Sequence, residues 1–444
     1  MKVLFTVVVF LIFFSSCKEN GVQPAKSSTF VRYLSDGNPD EAVDVLQTSD
    51  NAFLILSYTK PSNSAGWINL TKIDIYGNEV AGGKVPIKPV AISGTSPDLR
   101  PSNIVAIRSG GSADKGYLIV GTLQHPSIGS QLYVAVVNTD LTVARSAAIF
   151  NEGGSPTDYT TSSGGTYLVG KGVAHYDSAR DDFFVIANVL EHDLTTAAFD
   201  GSGVQDMYFA RINGATLDTV YTRIYGGGTA DLVNRIYLDA SSQTKAYWGG
   251  ARTDNYGIHL RLVEANSGVP SGIPSASAND FVYPLGDFSK SYTGGDFCPV
   301  GFDFFAIAGS QNAVNLVPGS YDSISFCQAW ASNGQLVAPI KNFPLKFKQT
   351  ALPGNSICTT LDGGFLLLGT MAQDGQGTNT DYYLLKLDKN GAKQWDVTHG
   401  GKYPDVGVRV LQSSDGGYVV LGTTTLANVK TVFLMKTDAH GNIQ

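Results

Sequence analysis

The amino-acid sequence predicts an all-β fold, a seven-bladed β-propeller with four strands in each blade. Three observations predict it: strand-like units repeat near the carboxyl terminus, a turn marker recurs along the chain, and the two ends of the sequence complement each other. Repeated units of about 40 to 50 residues with four strands each are typical of propeller blades. Fifty glycines and a charged fraction of only 16% fit such a turn-dense protein.

The repeat is clearest in the last third of the chain. Residues 361–370 (LDGGFLLLGT) return 53 positions later as residues 414–423 (SDGGYVVLGT). Each copy continues into a second apolar strand and a turn that contains Gly391 or Gly441. Glycine supplies the positive φ angles that tight hairpin turns require. Because a further strand follows around Trp395, one unit is expected to contain four strands.

The turn after the third strand marks the same unit elsewhere in the chain. This turn contains Asp or Asn, usually with a glycine close behind. It occurs seven times, at residues 72–77, 138–140, 211–214, 261–268, 330–334, 386–391 and 436–441. Seven markers predict seven blades.

The ends of the sequence indicate how the ring closes. The last unit stops at Gln444, just after its third-strand turn, and has no fourth strand of its own. Residues 29–34 have the alternation of a fourth strand, with no first three strands ahead of them. We expect this N-terminal strand to complete the last blade, because pairing would cover an otherwise exposed sheet edge.

Residues 29–444 are therefore expected to form one domain, with two departures from the repeat. Residues 188–205 interrupt blade three, and residues 268–292 form a long Ser, Pro and Gly-rich connection between blades four and five. Loops on rigid scaffolds often carry binding residues. Either these segments contribute to binding or they are tolerated surface excursions.

The first residues of the sequence indicate export. An apolar run at 3–14 follows Met1-Lys2, and small residues lead to Cys17. The run is too short to span a hydrocarbon core of about 30 Å. Phe14-Ser15-Ser16-Cys17 resembles the lipobox of bacterial lipoproteins, which implies a signal peptide at 1–16, acylation of Cys17 and a lipidated tether at 17–28. An ordinary cleaved signal peptide is the alternative.

Further resemblances indicate a location. Lys18 after the cysteine, rather than Asp, resembles lipoproteins sorted to the outer membrane, and Lys18-Glu19 is similar to the surface-export signal of Bacteroidota lipoproteins. The Asp-Gly-Gly-Phe/Tyr repeat also resembles propellers of Bacteroidota surface lipoproteins. These resemblances imply a lipid-anchored protein on the cell surface or the periplasmic face. They imply no reaction, since fold does not determine function.

Four acidic residues are candidate site residues. Asp40, Asp158, Asp231 and Asp405 are each expected to begin a first strand, beside the central axis at one channel mouth. Carboxylates around one opening would suit Ca²⁺ or a cationic group. We favour the other interpretation, that each accepts hydrogen bonds from backbone amides within its own turn. No other cofactor is predicted.

The remaining cysteines are predicted to be structural. Cys298, Cys327 and Cys358 fall at apolar strand positions, so we interpret them as buried thiols rather than a disulfide pair and an odd partner. No nucleophile elbow and no histidines at metal-ligand spacing are present, so no catalytic residue is assigned.

The composition narrows the classes of partner. A net charge of −7 without basic blocks argues against nucleic acid. The sequence favours a monomeric, non-catalytic propeller that binds a glycan or a protein at the membrane. The alternatives are a polysaccharide hydrolase or lyase with carboxylates on the axis, and a quinone-dependent dehydrogenase.

Overall fold

The computed structural model describes residues 29–91, 94–108, 113–125, 129–149, 168–190, 205–225, 231–238, 245–252, 256–264, 280–283, 292–301, 304–312, 321–330, 335–349, 355–374 and 378–443. Within these ranges the chain forms twenty-eight β-strands and no helix. The described residues accordingly contain no helix with the length and apolar character that crossing a bilayer requires.

The strands form seven consecutive groups, numbered sheet 1 to sheet 7. The chain begins with β1 (Phe30–Leu34), which belongs to the last of these sheets. Sheet 1 contains β2 (Asp40–Gln47), β3 (Phe53–Thr59), β4 (Trp67–Ile73) and β5 (Glu79–Ile87). Sheet 2 contains β6 (Asp98–Ile107), β7 (Gly116–His125), β8 (Gly129–Val137) and β9 (Val143–Ile149). Sheet 3 contains β10 (Leu168–Asp177), β11 (Asp182–Leu190), β12 (Gln205–Asn213) and β13 (Thr219–Tyr225).

The second half of the chain repeats this order. Sheet 4 contains β14 (Asp231–Leu238), β15 (Lys245–Arg252), β16 (Tyr256–Glu264) and β17 (Asp280–Tyr283). Sheet 5 contains β18 (Tyr292–Val300), β19 (Phe304–Asn312), β20 (Tyr321–Trp330) and β21 (Lys341–Gln349). Sheet 6 contains β22 (Ser356–Thr359), β23 (Phe365–Ala372), β24 (Thr380–Leu387) and β25 (Lys393–His399). Sheet 7 contains β26 (Asp405–Gln412), β27 (Tyr418–Leu426) and β28 (Val429–Thr437), together with β1.

Each sheet is an antiparallel meander of four strands, which confirms the predicted all-β class and the four-stranded unit. Sheets 4 and 5 are joined into one eight-stranded sheet by a short parallel pairing of Tyr256 and Gly257 with Tyr292 and Thr293. In the described part of the chain, the other five sheets are separate and four-stranded. Consecutive first strands contact one another from β2 through to β26, so the sheets are stacked side by side.

The fourth strand of sheet 7 is the N-terminal strand. β1 pairs antiparallel with β28, with Phe30 opposite Lys436 and Leu34 opposite Val432. The Phe30 ring is buried and packs against Gly77, the turn glycine of sheet 1. A Cβ at Gly77 would lie 2.7 Å from this ring, and the φ of +87° also favours glycine. The turn of sheet 1 therefore fits against the strand that the N-terminus contributes.

The two departures from the repeat differ in detail from the sequence-based interpretation. The predicted connection at 268–292 contains a short strand, β17, which pairs with β16. The interruption at 188–205 is shorter in the structure, because Asn188 and the two residues after it still belong to β11. Residues 191–204 lie outside the described ranges.

The hydrophobic core lies between neighbouring sheets. Every residue of β3 is buried, and the Leu366-Leu367-Leu368 run of β23 is fully buried. Side chains from both faces of these strands enter a core, because a sheet lies on either side. Strands covered on both faces form continuous apolar runs rather than an alternating pattern. This packing explains the Leu-rich second strand of the repeat.

The Gly-Thr pair of the repeat links one sheet to the next. The Thr370 hydroxyl accepts a hydrogen bond of 3.1 Å from the backbone N–H of Gly407 in β26. The Thr423 hydroxyl accepts the same bond, at 2.9 Å, from Ala42 in β2. The preceding glycine leaves room for the neighbouring sheet, since a Cβ at Gly422 would lie 2.2 Å from the Tyr382 ring.

In four of the seven sheets, an ion pair joins the third strand to the Asp-Gly-Gly turn or its equivalent. In every case a cation on the third strand bonds an aspartate at the turn between the first two strands. The pairs are Lys72 with Asp50, Arg211 with Asp182, Lys386 with Asp362, and Lys436 with Asp415. Lys386 and Lys436 are almost completely buried, so their partners are required to neutralise them. The acids of this motif are structural.

The aspartate of the third-strand turn is also structural. Asp74, Asp388 and Asp438 each accept hydrogen bonds of 2.7 to 2.9 Å from the backbone N–H groups two and four residues further on. This local bonding is the ordinary role of Asp in turns. It explains why the marker recurs along the chain.

The three internal cysteines are free thiols, as predicted. Cys298 and Cys327 are buried and Cys358 is partly buried. Burial raises the pKa of Cys327 and of Cys358 to about 12. Because the thiolate is the reactive form, these residues are not nucleophiles near neutral pH. Cys17 lies outside the described residues.

Candidate functional site

Three of the four predicted acids begin a first strand, as expected. Asp40 is the first residue of β2, Asp231 of β14 and Asp405 of β26. Asp158 lies outside the described residues, and of Asp231 only the backbone is described. Asp98, which the sequence-based interpretation overlooked, begins β6 in the same way.

These acids are held separately rather than grouped. Asp40 is buried and accepts a hydrogen bond from Thr59 on the neighbouring strand. Burial raises the pKa of Asp40, and the bond from Thr59 opposes that shift. Asp98 accepts bonds from the Tyr58 hydroxyl at 2.7 Å and the Lys60 ammonium at 2.9 Å. No group of three or more His, Cys, Asp or Glu side chains suited to a metal ion occurs among the described residues.

A different set of polar residues converges where the first strands meet. The central cluster consists of one residue from each first strand: Asp44, Asn103, Lys171, Arg235, Asp296, Ser356 and Arg409. Six of the seven first strands have a β-bulge or register irregularity beside this residue. A bulge changes the direction of a side chain without ending the strand. The irregularities therefore account for polar side chains inside an otherwise apolar set of strands.

Asp296 makes the largest number of bonds in the central cluster. Its carboxylate bonds Arg235 at 3.0 and 3.3 Å and Arg409 at 2.8 Å. It also accepts the backbone N–H of Phe297 at 2.9 Å and that of Ile357 at 3.2 Å. The side chain is only 2% exposed. Sheets 4, 5, 6 and 7 are thus connected through one carboxylate.

Asp44 connects sheets 1 and 2 in the same way, through hydrogen bonds to its carboxylate. It accepts hydrogen bonds from the Asn103 amide at 2.7 Å and the Ile104 backbone N–H at 3.2 Å, and Arg409 lies 3.5 Å away. Asn103 in turn accepts the backbone N–H of Ala174 in sheet 3 at 2.9 Å. Both carboxylates are therefore held by fixed partners on neighbouring sheets.

The inter-sheet groove, a cavity of about 310 Å³, lies between sheets 6 and 7. Its lining includes Tyr33, Tyr382, His399, Tyr403, Asp405 and Thr424. Tyr33 is 55% exposed and Tyr403 is 40% exposed, although both are large aromatic residues. The volume is at the lower end of the range of small-molecule sites, about 300 to 1,000 Å³.

Below these aromatic rings the groove has a polar floor. The buried Tyr382 hydroxyl faces Asp405, and Asp381 Oδ1, on the residue before Tyr382, is buried with no hydrogen bond of normal geometry within the described chain. Buried polar groups without partners are costly in a folded protein and are found where a ligand or water completes them. Gly400 allows this arrangement, because a Cβ there would lie 2.0 Å from Asp381 Oδ1.

Asp405 is the titratable residue of the groove. Burial raises the pKa of Asp405 to about 6, and the negative charge of Asp381 adds to the shift. The hydrogen bond from Thr424 acts in the opposite direction. The groove therefore offers exposed aromatic faces, a buried tyrosine hydroxyl and a carboxyl that titrates in mildly acidic solution.

Comparison with known proteins gives no family. No protein-family model matches the chain, and no curated protein matches it. Among solved structures, Penicillium chrysogenum alpha-L-arabinanase complexed with arabinobiose is 10% identical with a TM-score of 0.46, covering 92% of this chain and 99% of that one. YCF48 bound to D1 peptide is 11% identical with a TM-score of 0.44, covering 93% and 96%. Pyrococcus horikoshii acylaminoacyl peptidase is 9% identical with a TM-score of 0.46, covering 90% and 52%. Similarities this distant carry no argument about ligand or activity.

Proposed function

We propose that this chain is a membrane-anchored, seven-bladed β-propeller that binds a glycan in the inter-sheet groove without catalysing a reaction on it. The observation that carries the proposal is the combination of two exposed tyrosines with the buried Tyr382 hydroxyl and the buried Asp405 carboxyl in one cavity. Sugar rings present apolar C–H faces and rows of hydroxyls. Amphipathic aromatic rings suit the first, and a few fixed polar groups suit the second.

The closed ring of seven blades is supported by contacts between the last sheet and the first. β26 packs against β2, and Thr423 bonds Ala42 across this boundary. The Gln47 amide donates to the Ser414 hydroxyl at 3.0 Å, and the Ser414 backbone N–H donates to Gln47 at 2.9 Å. A ring of this kind leaves only short, protected sheet edges, which suits a protein exposed outside the cell.

Glycan binding is tested with the double substitution Tyr33→Ala and Tyr403→Ala. The purified protein is screened on a glycan array, and the best ligand is titrated by calorimetry. We expect the double variant to lose about 10- to 100-fold in affinity, because buried aromatic contacts contribute about 1–3 kcal/mol at such sites. Tyr76→Ala removes a tyrosine that is 65% exposed, more than either groove tyrosine, from a turn of sheet 1 and should leave the affinity unchanged.

Two results would contradict this proposal. Binding of no glycan at all would remove its basis, and equal losses in the Tyr76 control would show that the groove is not the site. If a protein partner binds through the same two tyrosines, the scaffold alternative is favoured.

A glycoside hydrolase is the second candidate, because Asp405 has a raised pKa and stands near a second carboxyl, Asp381. A protonated carboxyl beside another acid is the arrangement of a glycosidase general acid. Release of reducing ends from the bound glycan is measured in the same samples. Release that disappears in Asp405→Asn would favour the hydrolase over the binding module.

The anchor is supported by the sequence of residues 3–20, which resembles a lipoprotein signal ending at Cys17. Acyl chains contribute about 0.8 kcal/mol per buried methylene, so two or more hold a protein stably on a membrane. We expect Cys17→Ser to abolish labelling by a palmitate analogue and to release the protein from the membrane fraction. Cys327→Ala, which removes a different thiol, should keep both properties. Continued labelling of the Cys17 variant would exclude the proposed anchor.

A further inference from the structure

The central cluster contains more positive charge than negative charge. Lys171, Arg235 and Arg409 are three cations, and Asp44 and Asp296 are two carboxylates, which leaves a net charge of +1. The inter-sheet groove does not explain this excess of positive charge, because the central cluster belongs to the first strands and none of its residues lines the groove.

The acceptors of the cluster are already occupied. The two oxygens of Asp296 accept bonds from two guanidinium groups and two backbone N–H groups. Asp44 accepts the Asn103 amide and the N–H groups of Val45 and Ile104. Carboxylate oxygens with this many donors have little capacity for another. Any further donor of the cluster therefore needs an acceptor from outside it.

Lys171 is that donor. It has no hydrogen bond or ion pair to any residue that the structure describes, and its side chain is exposed to solvent. The surrounding protein nevertheless lowers the pKa of Lys171, because desolvation and the charge of Arg235 disfavour the ammonium more than Asp296 and Asp44 favour it. The Lys171 side chain is thus exposed to solvent and still close enough to Asp44, Arg235 and Asp296 to be influenced by their charges. It lies at the bulge of its first strand, as they do.

We propose that Lys171 and the surrounding central cluster form a binding site for a small oxyanion, such as sulfate, phosphate or a carboxylate. The ammonium of Lys171 supplies an unpaired positive charge and up to three donors. The free N–H groups of Arg235 and Arg409 add donors of planar geometry that suits oxyanions. A net-positive group of side chains that includes a solvent-exposed ammonium attracts anions from solution. The ligand would also balance the charge that the cluster leaves uncompensated.

The test uses the purified protein with inorganic sulfate, inorganic phosphate and acetate as probes. Each is titrated by calorimetry and by thermal unfolding at constant ionic strength, set with sodium chloride. A ligand that binds the folded state raises the midpoint of unfolding as its concentration rises. We expect at least one probe to raise the midpoint of unfolding. We expect Lys171→Met to lower the affinity for that probe by about tenfold or more.

Two further variants separate a site from a general charge effect. Lys389→Met removes the same charge from an exposed hairpin turn and should bind like the unmodified protein. Lys171→Arg keeps a cation at the site and should retain most of the affinity. Because Lys171 has no described partner, Lys171→Met should fold normally, and circular dichroism checks this. The proposal is overturned if no probe binds, if Lys171→Met binds unchanged, or if Lys389→Met weakens binding equally.

Discussion

Replacing Asp296 with alanine is expected to destabilise the protein by about 3–5 kcal/mol, the largest effect of any single side chain discussed for this chain. Asp296 holds Arg235 and Arg409 in place, and both guanidinium groups are mostly buried. Removing the carboxylate leaves Arg235 without its bonded counter-charge and leaves Arg409 with only Asp44, 3.5 Å away. It also removes the acceptor for the Ile357 backbone N–H in the next sheet.

The effect is measured by urea unfolding, followed by tryptophan fluorescence and circular dichroism together so that coincident transitions can be verified. Glu41→Ala is a closely matched control. Glu41 also bridges two cations from neighbouring sheets, Arg100 at 2.9 Å and Lys430 at 2.6 Å, but both cations are 56% exposed. Exposed pairs contribute about 0–1 kcal/mol, so we expect a small loss there. Equal losses in the two variants would contradict the structural role assigned to the central cluster.

The second large effect is expected from Asp405→Asn, and its size depends on pH. The folded protein holds the pKa of Asp405 at about 6, against 3.8 as the ordinary value. The folded state therefore keeps its proton when the unfolded chain has already lost it. As pH rises from about 4 to 6, the unfolded state is favoured progressively, and the cost approaches about 3 kcal/mol above pH 6. Asparagine has no charge to bury.

We therefore expect Asp405→Asn to be more stable than the unmodified protein at pH 7, by up to about 3 kcal/mol, with the difference closing below pH 4. Urea titrations at several pH values measure this. For Asp74→Asn we expect the opposite sign, with the variant less stable than the unmodified protein at pH 7. Slight burial raises the pKa of Asp74, but hydrogen bonds from Asn78 and Tyr76 outweigh it, and the pKa is lowered. A pH-independent difference between Asp405→Asn and the unmodified protein would show that Asp405 is not buried as a neutral acid.

The same substitution also tests whether Asp405 contributes to glycan binding in the groove. Asp405 and Asp381 are both buried carboxyls with raised pKa values, so the groove is less negative in mildly acidic solution than at neutral pH. A glycan that donates hydroxyl protons to a carboxylate should bind better above pH 6. Comparing its affinity at pH 5 and pH 7 in both proteins therefore reports on the contribution of Asp405.

The repeat was readable in the sequence because its structural causes are local. The Asp388 turn bonds residues two and four positions away, and the Lys386 to Asp362 pair joins strands within one sheet. Interactions over such short separations require particular residues at regular spacing. Glycines such as Gly391 are needed where the turn has a positive φ. The four-stranded unit and the free internal thiols followed from this spacing.

Irregular segments were less predictable. The short strand β17 lies in a segment rich in Ser, Pro and Gly, and its pairing partner is β16 rather than a strand of the next unit. The residues of β17 carry no turn marker of their own. Pairing across a long connection depends on where β16 already lies, and the local sequence does not encode that position.

The sequence by itself determined the all-β class and the four-stranded unit, since both rest on contacts between residues close in the chain or within one sheet. Only the tertiary structure decided the candidate sites. Arg409 and Asp296 are 113 residues apart, and bulges in separate strands turn them toward each other. The groove likewise needs β1 beside β28 and Asp405 beside Tyr382. Such sites depend on how sheets pack, and no short stretch of sequence specifies that.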